Sequence, residues 1–419
     1  MGLTVGIYLF RKEAVYVAAK KGKWALIWLG LLVTVFVLNG SGLLAAEKPP
    51  IKVGLLLPYT GVMPFQAKGV NDAVELYFGE LGMKAGGRAI QIIKEDTEMN
   101  PTVGLTKVRR LVEQQKVNFI VGPVNSAVGI AIQDYVRKAS VILLNPVANT
   151  RELTGPDKWA ENVFRTVETS DQANYPMGKW IMKNTPHRNM AITGSDFAGS
   201  HHNVEAFKAG FEAAGGKVVK EIFPKLGTMD FAPYLSGLDN GIDAVYAMYV
   251  GTDAVRFVQQ YQEFGVKKRV PLYGYVTIAD DPYLPGVGDA AIGLITSSHY
   301  PVDLDTPRNH AFVKVYTARY GHPPYRYSEY GYTAASMIGA TIEALKGDIE
   351  DTQRTAREMK RIANTLEMPS GPLAFDQYNQ RIVNMYVVKT EKKDGKLVNV
   401  VIDKLGKVAQ TDVWKWWVK

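Results

Sequence analysis

The chain has 419 residues, of which 47% are hydrophobic and 21% charged, and it contains no cysteine. These proportions exclude disorder, collagen and coiled coil as descriptions of the whole, and the length predicts two lobes of ordinary domain size. Without cysteine there are no disulfides, no thiolate metal sites, no cysteine nucleophile and no cysteine-linked lipid anchor. The formal net charge is +8, but residues 1–46 hold five basic residues against Glu13, so the remainder carries 44 basic and 40 acidic residues. That remainder is mildly basic and has no dense basic run, so no nucleic-acid partner is expected.

Lys20, Lys21 and Lys23 stand directly before an uncharged run from Trp24 to Ala46. Its apolar centre reaches Leu38, and it ends on the small residues Ala45 and Ala46. Basic, apolar and small-residue regions in that order make a secretory leader. Residues 1–46 are therefore expected to be a cleaved signal peptide, leaving a periplasmic protein that starts near Glu47. The alternative is an uncleaved anchor, since about 20 apolar residues can span a bilayer. Either way, the rest of the chain lies outside the cytoplasm.

From Ile51 onward the hydrophobic period alternates. Ile51–Leu57 predicts a buried strand, and residues 66–82 place Val70, Ala73, Val74, Tyr77, Phe78 and Leu81 on one helical face. Ala89–Lys94 is a second strand. Asn100-Pro101 opens a helix with an N-cap followed by proline at the first helical position. Val117–Val121 and Val141–Leu144 are strands on either side of a helix over 126–138. A second block repeats the pattern, with strands at Asn189–Thr193, Lys217–Ile222, Ala244–Tyr249 and Val270–Tyr273 and helices over 199–214 and 252–265. Helices over 307–320, 327–346 and 352–366 follow. The strands Val383–Lys389 and Leu397–Val401 then flank Lys393-Asp394-Gly395, a hairpin turn signal. Strand–helix alternation in two blocks predicts an α/β protein with two parallel-sheet lobes facing each other.

No catalytic signature is present: no G-x-S-x-G, P-loop, H-E-x-x-H or strand-linked G-x-G-x-x-G. No catalytic residue, metal or cofactor is expected. His201 and His202 are adjacent and point about 100° apart on a helix, which is unsuited to one metal. Asp280-Asp281 and Asp303-Leu-Asp305 are read as solvated loop carboxylates. The strand-to-helix junctions say more, because ligands of open α/β sheets sit outside the carboxyl ends of strands. Six junctions carry small polar or aromatic residues: Pro58–Gln66, Gly122-Pro-Val-Asn-Ser126, Asn145-Pro-Val-Ala-Asn149, Gly194–Ser200, Tyr249-Val-Gly-Thr252 and Gly274-Tyr-Val-Thr277.

In these segments the chain resembles the branched-chain amino-acid binding family, the extracytoplasmic solute receptors of ABC importers with the type I periplasmic binding-protein fold. The resemblance runs from about Ile51 to Asp403. It is carried by Ile51–Gly61, Ile120-Val-Gly-Pro123 with Ser126, Asn145-Pro146 with Thr150-Arg-Glu-Leu153, and Asp196-Phe-Ala198 with Glu205-Ala-Phe-Lys208. Gly288-Asp-Ala-Ala-Ile-Gly293 and Gly371-Pro-Leu-Ala-Phe-Asp376 complete it. It implies two Rossmann-like lobes joined by three hinge crossovers, near residues 167–170, 297–300 and 375–378. Lobe one is then expected over 47–168 and 299–375, and lobe two over 169–298 and 376–419. The implied function is a monomeric, non-enzymatic receptor that traps a small carboxylate between its lobes and docks on an ABC permease in the inner membrane.

Carried over residue by residue, the resemblance places the carboxylate-binding serine at Ser126, beside Asn125. A second carboxylate hydroxyl falls on Asn149, near Val147, and an amide donates the same hydrogen bond. The aromatic after the first strand falls on Phe65 or Gln66. The second-lobe aromatic falls on Gly199, next to Phe197, and the acid that pairs with an amino acid's ammonium falls on Val276, next to Thr277. Gly199 is expected to enlarge the pocket, with Tyr249 and Tyr275 as flat walls. Whether Tyr275 or Val276 faces the cleft depends on one residue of register, and Asp280 or Asp281 is the alternative partner for an ammonium. Because burying an unpaired ammonium costs several kcal/mol, the expected ligand is a carboxylate without an α-amino group, such as an aromatic acid. The alternatives are a branched-chain or aromatic amino-acid receptor, or a membrane-anchored sensor.

Overall fold

A computed structural model of the chain describes residues 48–61, 63–238 and 241–416. The leader or anchor read in residues 1–46 lies outside the described residues.

The first sheet contains β1 (Ile51–Leu57), β2 (Lys84–Ala85), β3 (Arg88–Asp96), β4 (Phe119–Val121), β5 (Ile142–Asn145) and β6 (Val163–Arg165), in the order β2-β3-β1-β4-β5-β6. All of its pairings are parallel except that of β2 with β3. Strand β1 is buried at every residue but Lys52, as a central strand covered on both faces must be. Helices α1 (Pro64–Glu80), α2 (Pro101–Arg109) and α3 (Ser126–Val136) make the crossovers. Helix α2 starts where Asn100 accepts hydrogen bonds from the Thr102 and Val103 amides and Pro101 fills the first turn.

Helix α4 (Ser170–Asn184) then leads to the second sheet, which holds β7 (Asn189–Gly194), β8 (Lys217–Ile222), β9 (Ala244–Met248), β10 (Leu272–Tyr275) and β11 (Ile295–Ser298), with α5 (Ala198–Ala213) and α6 (Gly251–Glu263) as crossovers. Helices α7 (Pro307–Tyr320), α8 (Arg326–Ala344) and α9 (Thr352–Ala363) come next, followed by the two-residue strands β12 (Glu367–Met368) and β13 (Gly371–Pro372). Helices α7 and α8 pack back against α1, on the first lobe. The hairpin of β14 (Val383–Lys393) and β15 (Lys396–Val408) adds antiparallel to β11, giving the order β15-β14-β11-β10-β9-β7-β8. The chain thus passes between the lobes three times: after β6, after β11 and before β14.

In the first sheet, β3 and β4 flank β1 on opposite sides; in the second, β8 and β9 flank β7 in the same way. Crossovers therefore leave neighbouring strands in opposite directions and open a crevice at their carboxyl ends.

The α/β class and the parallel-sheet cores expected from the alternation are what the structure has, and the differences have local causes. Strand β10 runs two residues later than expected, because Pro271 cannot donate to the ladder and the strand continues to Tyr275 before a 3₁₀ turn over Val276–Ala279. Sequence periodicity also passed over α4, whose buried face is mostly polar or small and which carries Pro176 internally. Its signal was a capping box: Thr169 Oγ1 accepts from the Gln172 amide at 2.9 Å, and Gln172 Oε1 accepts from the Thr169 amide at 2.8 Å. Helix α4 lies tight against α5, where a Cβ on Gly210 would come within 2.0 Å of the Tyr175 carbonyl oxygen. The hairpin strands are longer than expected, but the turn stands at Asp394-Gly395, with φ of 48° and 78°, the positive values a tight hairpin turn requires.

Candidate ligand cleft

A cleft of about 410 Å³, counted with the space open to solvent at its mouth, lies at the two switch points. From the first lobe, Gln66 enters after β1, Val124, Asn125 and Ser126 after β4, and Val147 and Asn149 after β5. From the second, Phe197 enters after β7, Met248 and Val250 at β9, and Tyr275 and Thr277 at β10. Met63, Arg326 and Tyr327 complete the lining. Of the residues singled out from the sequence, Gln66, Asn125, Ser126, Val147, Asn149, Phe197, Tyr275 and Thr277 are brought together here.

Three others stand elsewhere, and Gly199 borders the cleft in another role than expected. Phe65 is 41% exposed and packs edge-on against Tyr283 at 5.1 Å between ring centres, because the turn of α1 that aims Gln66 inward rotates its neighbour out. Tyr249 is fully buried in the second lobe's own core, stacked on Phe257 at 4.1 Å with its hydroxyl 2.6 Å from Thr193 Oγ1. It is a core residue, not a cleft wall. Val276 turns into the core within the 3₁₀ turn, so the register choice falls to Tyr275. Gly199 does not open space: a Cβ there would meet Phe197 Cε2 at 2.8 Å and Ser126 Oγ at 3.0 Å. It is the point where the second lobe closes over Ser126.

The first-lobe pole is built on the start of α3. The cap is Asn125, whose Oδ1 accepts from the Ala127 amide at 2.9 Å and the Val128 amide at 3.1 Å. Ser126 Oγ therefore has no part in capping and faces the cleft. Asn149 exchanges hydrogen bonds with Asn203 of α5 at 3.2 and 3.3 Å, which leaves one of its two N–H groups uncommitted. Nearby, Arg151 reaches across to Glu205 at 3.1 Å, His202 contacts Thr150, and His201 pairs with Asp196 at 2.7 Å.

Arg326, at the start of α8, is a charged cleft residue that the sequence reading missed; it stands one residue before the helix expected from 327, with no local signal of its own. It is 3% exposed, and its Nε and Nη2 meet Asp280 Oδ1 and Oδ2 at 2.9 and 3.3 Å. Its guanidinium lies over Tyr327 at 4.2 Å and Tyr275 at 5.3 Å. Asp280 is thus not a solvated loop carboxylate: it is 1% exposed and bridges the lobes. Asp281 is half-buried and accepts from Asn399 at 2.8 Å. Among the described residues lining the cleft, none is acidic.

A buried polar chain joins the three lobe crossings beneath this cleft. Glu168, in the first crossing, accepts from the Tyr275 hydroxyl and from the Tyr330 hydroxyl at 3.0 Å, and pairs with His299 Nδ1 of the second crossing at 3.1 Å. His299 Nε2 faces Glu329 Oε2 at 3.2 Å, and Glu329 pairs with Arg381 of the third crossing at 3.2 Å. Burial alone would raise the Glu168 carboxyl, but the His299 charge and the hydrogen bonds hold it down to about 2. Burial alone would lower His299, yet the neighbouring Glu168 raises it above an ordinary imidazole. Tyr275 belongs to both this chain and the cleft wall, and the Arg326 guanidinium donates to its hydroxyl at 3.1 Å.

Residues 50–396 match the family described as periplasmic binding protein. An ABC transporter substrate-binding protein from Sphaerobacter thermophilus is 31% identical, with a TM-score of 0.80 over 85% of this chain and 98% of that one. A solute-binding protein of an ABC transporter from R. palustris, solved in complex with benzoate, is 29% identical, with a TM-score of 0.80 over 86% of this chain and 98% of that one. The Leu/Ile/Val-binding protein homolog 6 of Brucella melitensis is 26% identical over 357 residues, 84% of this chain and 90% of that protein. Among the described residues, no helix is long and apolar enough to cross a membrane. With two parallel-sheet lobes, a cleft at both switch points and these relatives, the chain belongs to the periplasmic binding protein family, in its branched-chain amino-acid binding group, and is an ABC-transporter substrate-binding protein and not an enzyme.

Proposed function

We propose that this protein captures an aromatic carboxylate lacking an α-amino group and delivers it to an ABC permease. The observation that carries the reading is the composition of the cleft wall, which offers donors and no free acid. Ser126 Oγ and the remaining N–H of Asn149 suit a carboxylate. An ammonium finds no counter-charge: Val276 is packed in the core and Asp280 is held by Arg326. Freeing Asp280 would strand a buried guanidinium, at a cost of about 3–5 kcal/mol. Phe197 and Tyr275 supply faces for a ring, and the benzoate complex of the R. palustris relative supports the same class.

In this reading residues 1–46 are a cleaved leader and the mature protein is a periplasmic monomer. Lobe one spans 47–168 and 299–375, lobe two spans 169–298 and 376–419, and the permease recognises the closed form. An exported protein whose intact mass retains residues 1–46 would contradict the leader. The relatives named for Leu, Ile and Val favour a second reading, an amino-acid receptor. Mass spectrometry of ligand released from the purified protein separates the two: an aromatic acid is expected, and a branched-chain amino acid overturns the proposal.

A further inference from the structure

Two buried donors in the cleft have no partner. Gln66 is 1% exposed and Thr277 is 4% exposed, and both line the cleft. Gln66 Oε1 accepts from the Tyr283 hydroxyl at 3.0 Å, and Gln66 Nε2 has no hydrogen bond. Thr277 Oγ1 has none either. A buried donor without a partner is destabilising, so two at one cavity ask for a group that completes them. They come from opposite lobes, Gln66 from the start of α1 and Thr277 from the turn after β10.

These donors are not the carboxylate pole. Ser126 faces Gly199 and Phe197, which follow β7, whereas Thr277 follows β10, and β9 lies between β7 and β10. Two strand spacings put these ends of the cleft about 10 Å apart at the backbone.

We infer that Gln66 and Thr277 form a second subsite that takes a neutral ring oxygen, a hydroxyl or carbonyl, on the far side of the ring from the carboxylate. A second carboxylate does not fit this pole. The cation beside it, Arg326, is already neutralised by Asp280, and its nitrogens donate to Asp280, Tyr275, Tyr327 and Tyr330. A phenolic oxygen accepts from Gln66 Nε2 and exchanges a hydrogen bond with the Thr277 hydroxyl in either direction. Because the oxygen is reached from both lobes, it also rewards closure. The specificity-determining pair is therefore Gln66 and Thr277, and the ligand class is an oxygen-substituted aromatic acid.

This inference rests on the aromatic-acid reading, and the test keeps the two apart. Calorimetry on the mature protein compares 4-hydroxybenzoate with 4-methylbenzoate, which has the same shape and no ring oxygen. The hydroxy acid is expected to bind at least about tenfold more tightly, the worth of ~1.4 kcal/mol. Gln66→Met with Thr277→Val should abolish that preference, so that the two acids bind the double variant with equal affinity; a preference that survives in the variant also overturns the subsite. Equal affinities in the unaltered protein, which need no variant to fold, overturn the subsite and leave the aromatic-acid reading standing. Failure of both acids to bind overturns that reading itself.

Discussion

Ser126→Ala separates ligand binding from folding at the start of α3. The cap of this helix is the Asn125 side chain, bonded to two amides at 2.9 and 3.1 Å, so removing the Ser126 hydroxyl leaves the cap intact. A hydrogen bond from that hydroxyl to a ligand carboxylate is worth roughly 1.5–3 kcal/mol. Its loss should weaken binding roughly ten- to a hundred-fold. The melting temperature should stay put, since no bond within the fold is lost. Asn125→Ala is the counterpart: losing the cap should cost ~1 kcal/mol of stability, or roughly 1–2 °C in a chain of this length. Calorimetry with benzoate and a melting curve on each variant give both quantities. The reasoning fails if Ser126→Ala melts early while binding benzoate as tightly as the unaltered protein.

Three further substitutions probe other parts of the account. Gly199→Ala puts a Cβ between Phe197 and Ser126, and such overpacking costs typically 1–3 kcal/mol; because it falls on the closing contact, affinity should drop about tenfold or more, and unchanged affinity would show that the lobes do not close there. Arg326→Met leaves the Asp280 carboxylate buried without its cation and should destabilise the protein by about 3–5 kcal/mol; adding Asp280→Asn should recover much of that, and a neutral single substitution would contradict the pairing. His299, held between Glu168 and Glu329 and stacked on Tyr330, has a raised pKa. Its stabilising contribution is complete below the ordinary imidazole value of about 6.5 and is lost as pH rises through the folded-state value. The melting temperature should therefore fall with rising pH above neutrality more steeply in the unaltered protein than in His299→Gln. Asp171, pushed up to about 7 by burial, titrates in both proteins and cancels in the difference; parallel curves would refute the assignment.

Elements with strong periodic apolar stripes or explicit caps were legible in the sequence. Strand β1, buried almost throughout, and helix α2, opened by Asn100-Pro101, are examples. Helix α4 was not, because its stability comes from close packing on α5 and from a capping box rather than from a broad stripe. At the cleft, the strand-to-helix junctions pointed to Ser126, Asn149 and Thr277, since junction residues at switch points must face the crevice. Gly199 misled, because its meaning depends on what lies opposite across the lobes. Tyr249 misled because one residue along a strand exchanges cleft for core. Asp280 and Arg326 lie 46 residues apart in the chain, and no local pattern in the sequence signals that a loop acid and a helix arginine neutralise each other.

The central claim is that the cleft holds a carboxylate and has no place for an ammonium. Calorimetric titration of the mature protein with leucine, phenylalanine, benzoate and 4-hydroxybenzoate tests it directly. Saturable binding of the aromatic acids, and none of the two amino acids, is expected. Micromolar or tighter binding of leucine, with no heat from either benzoate, would contradict it.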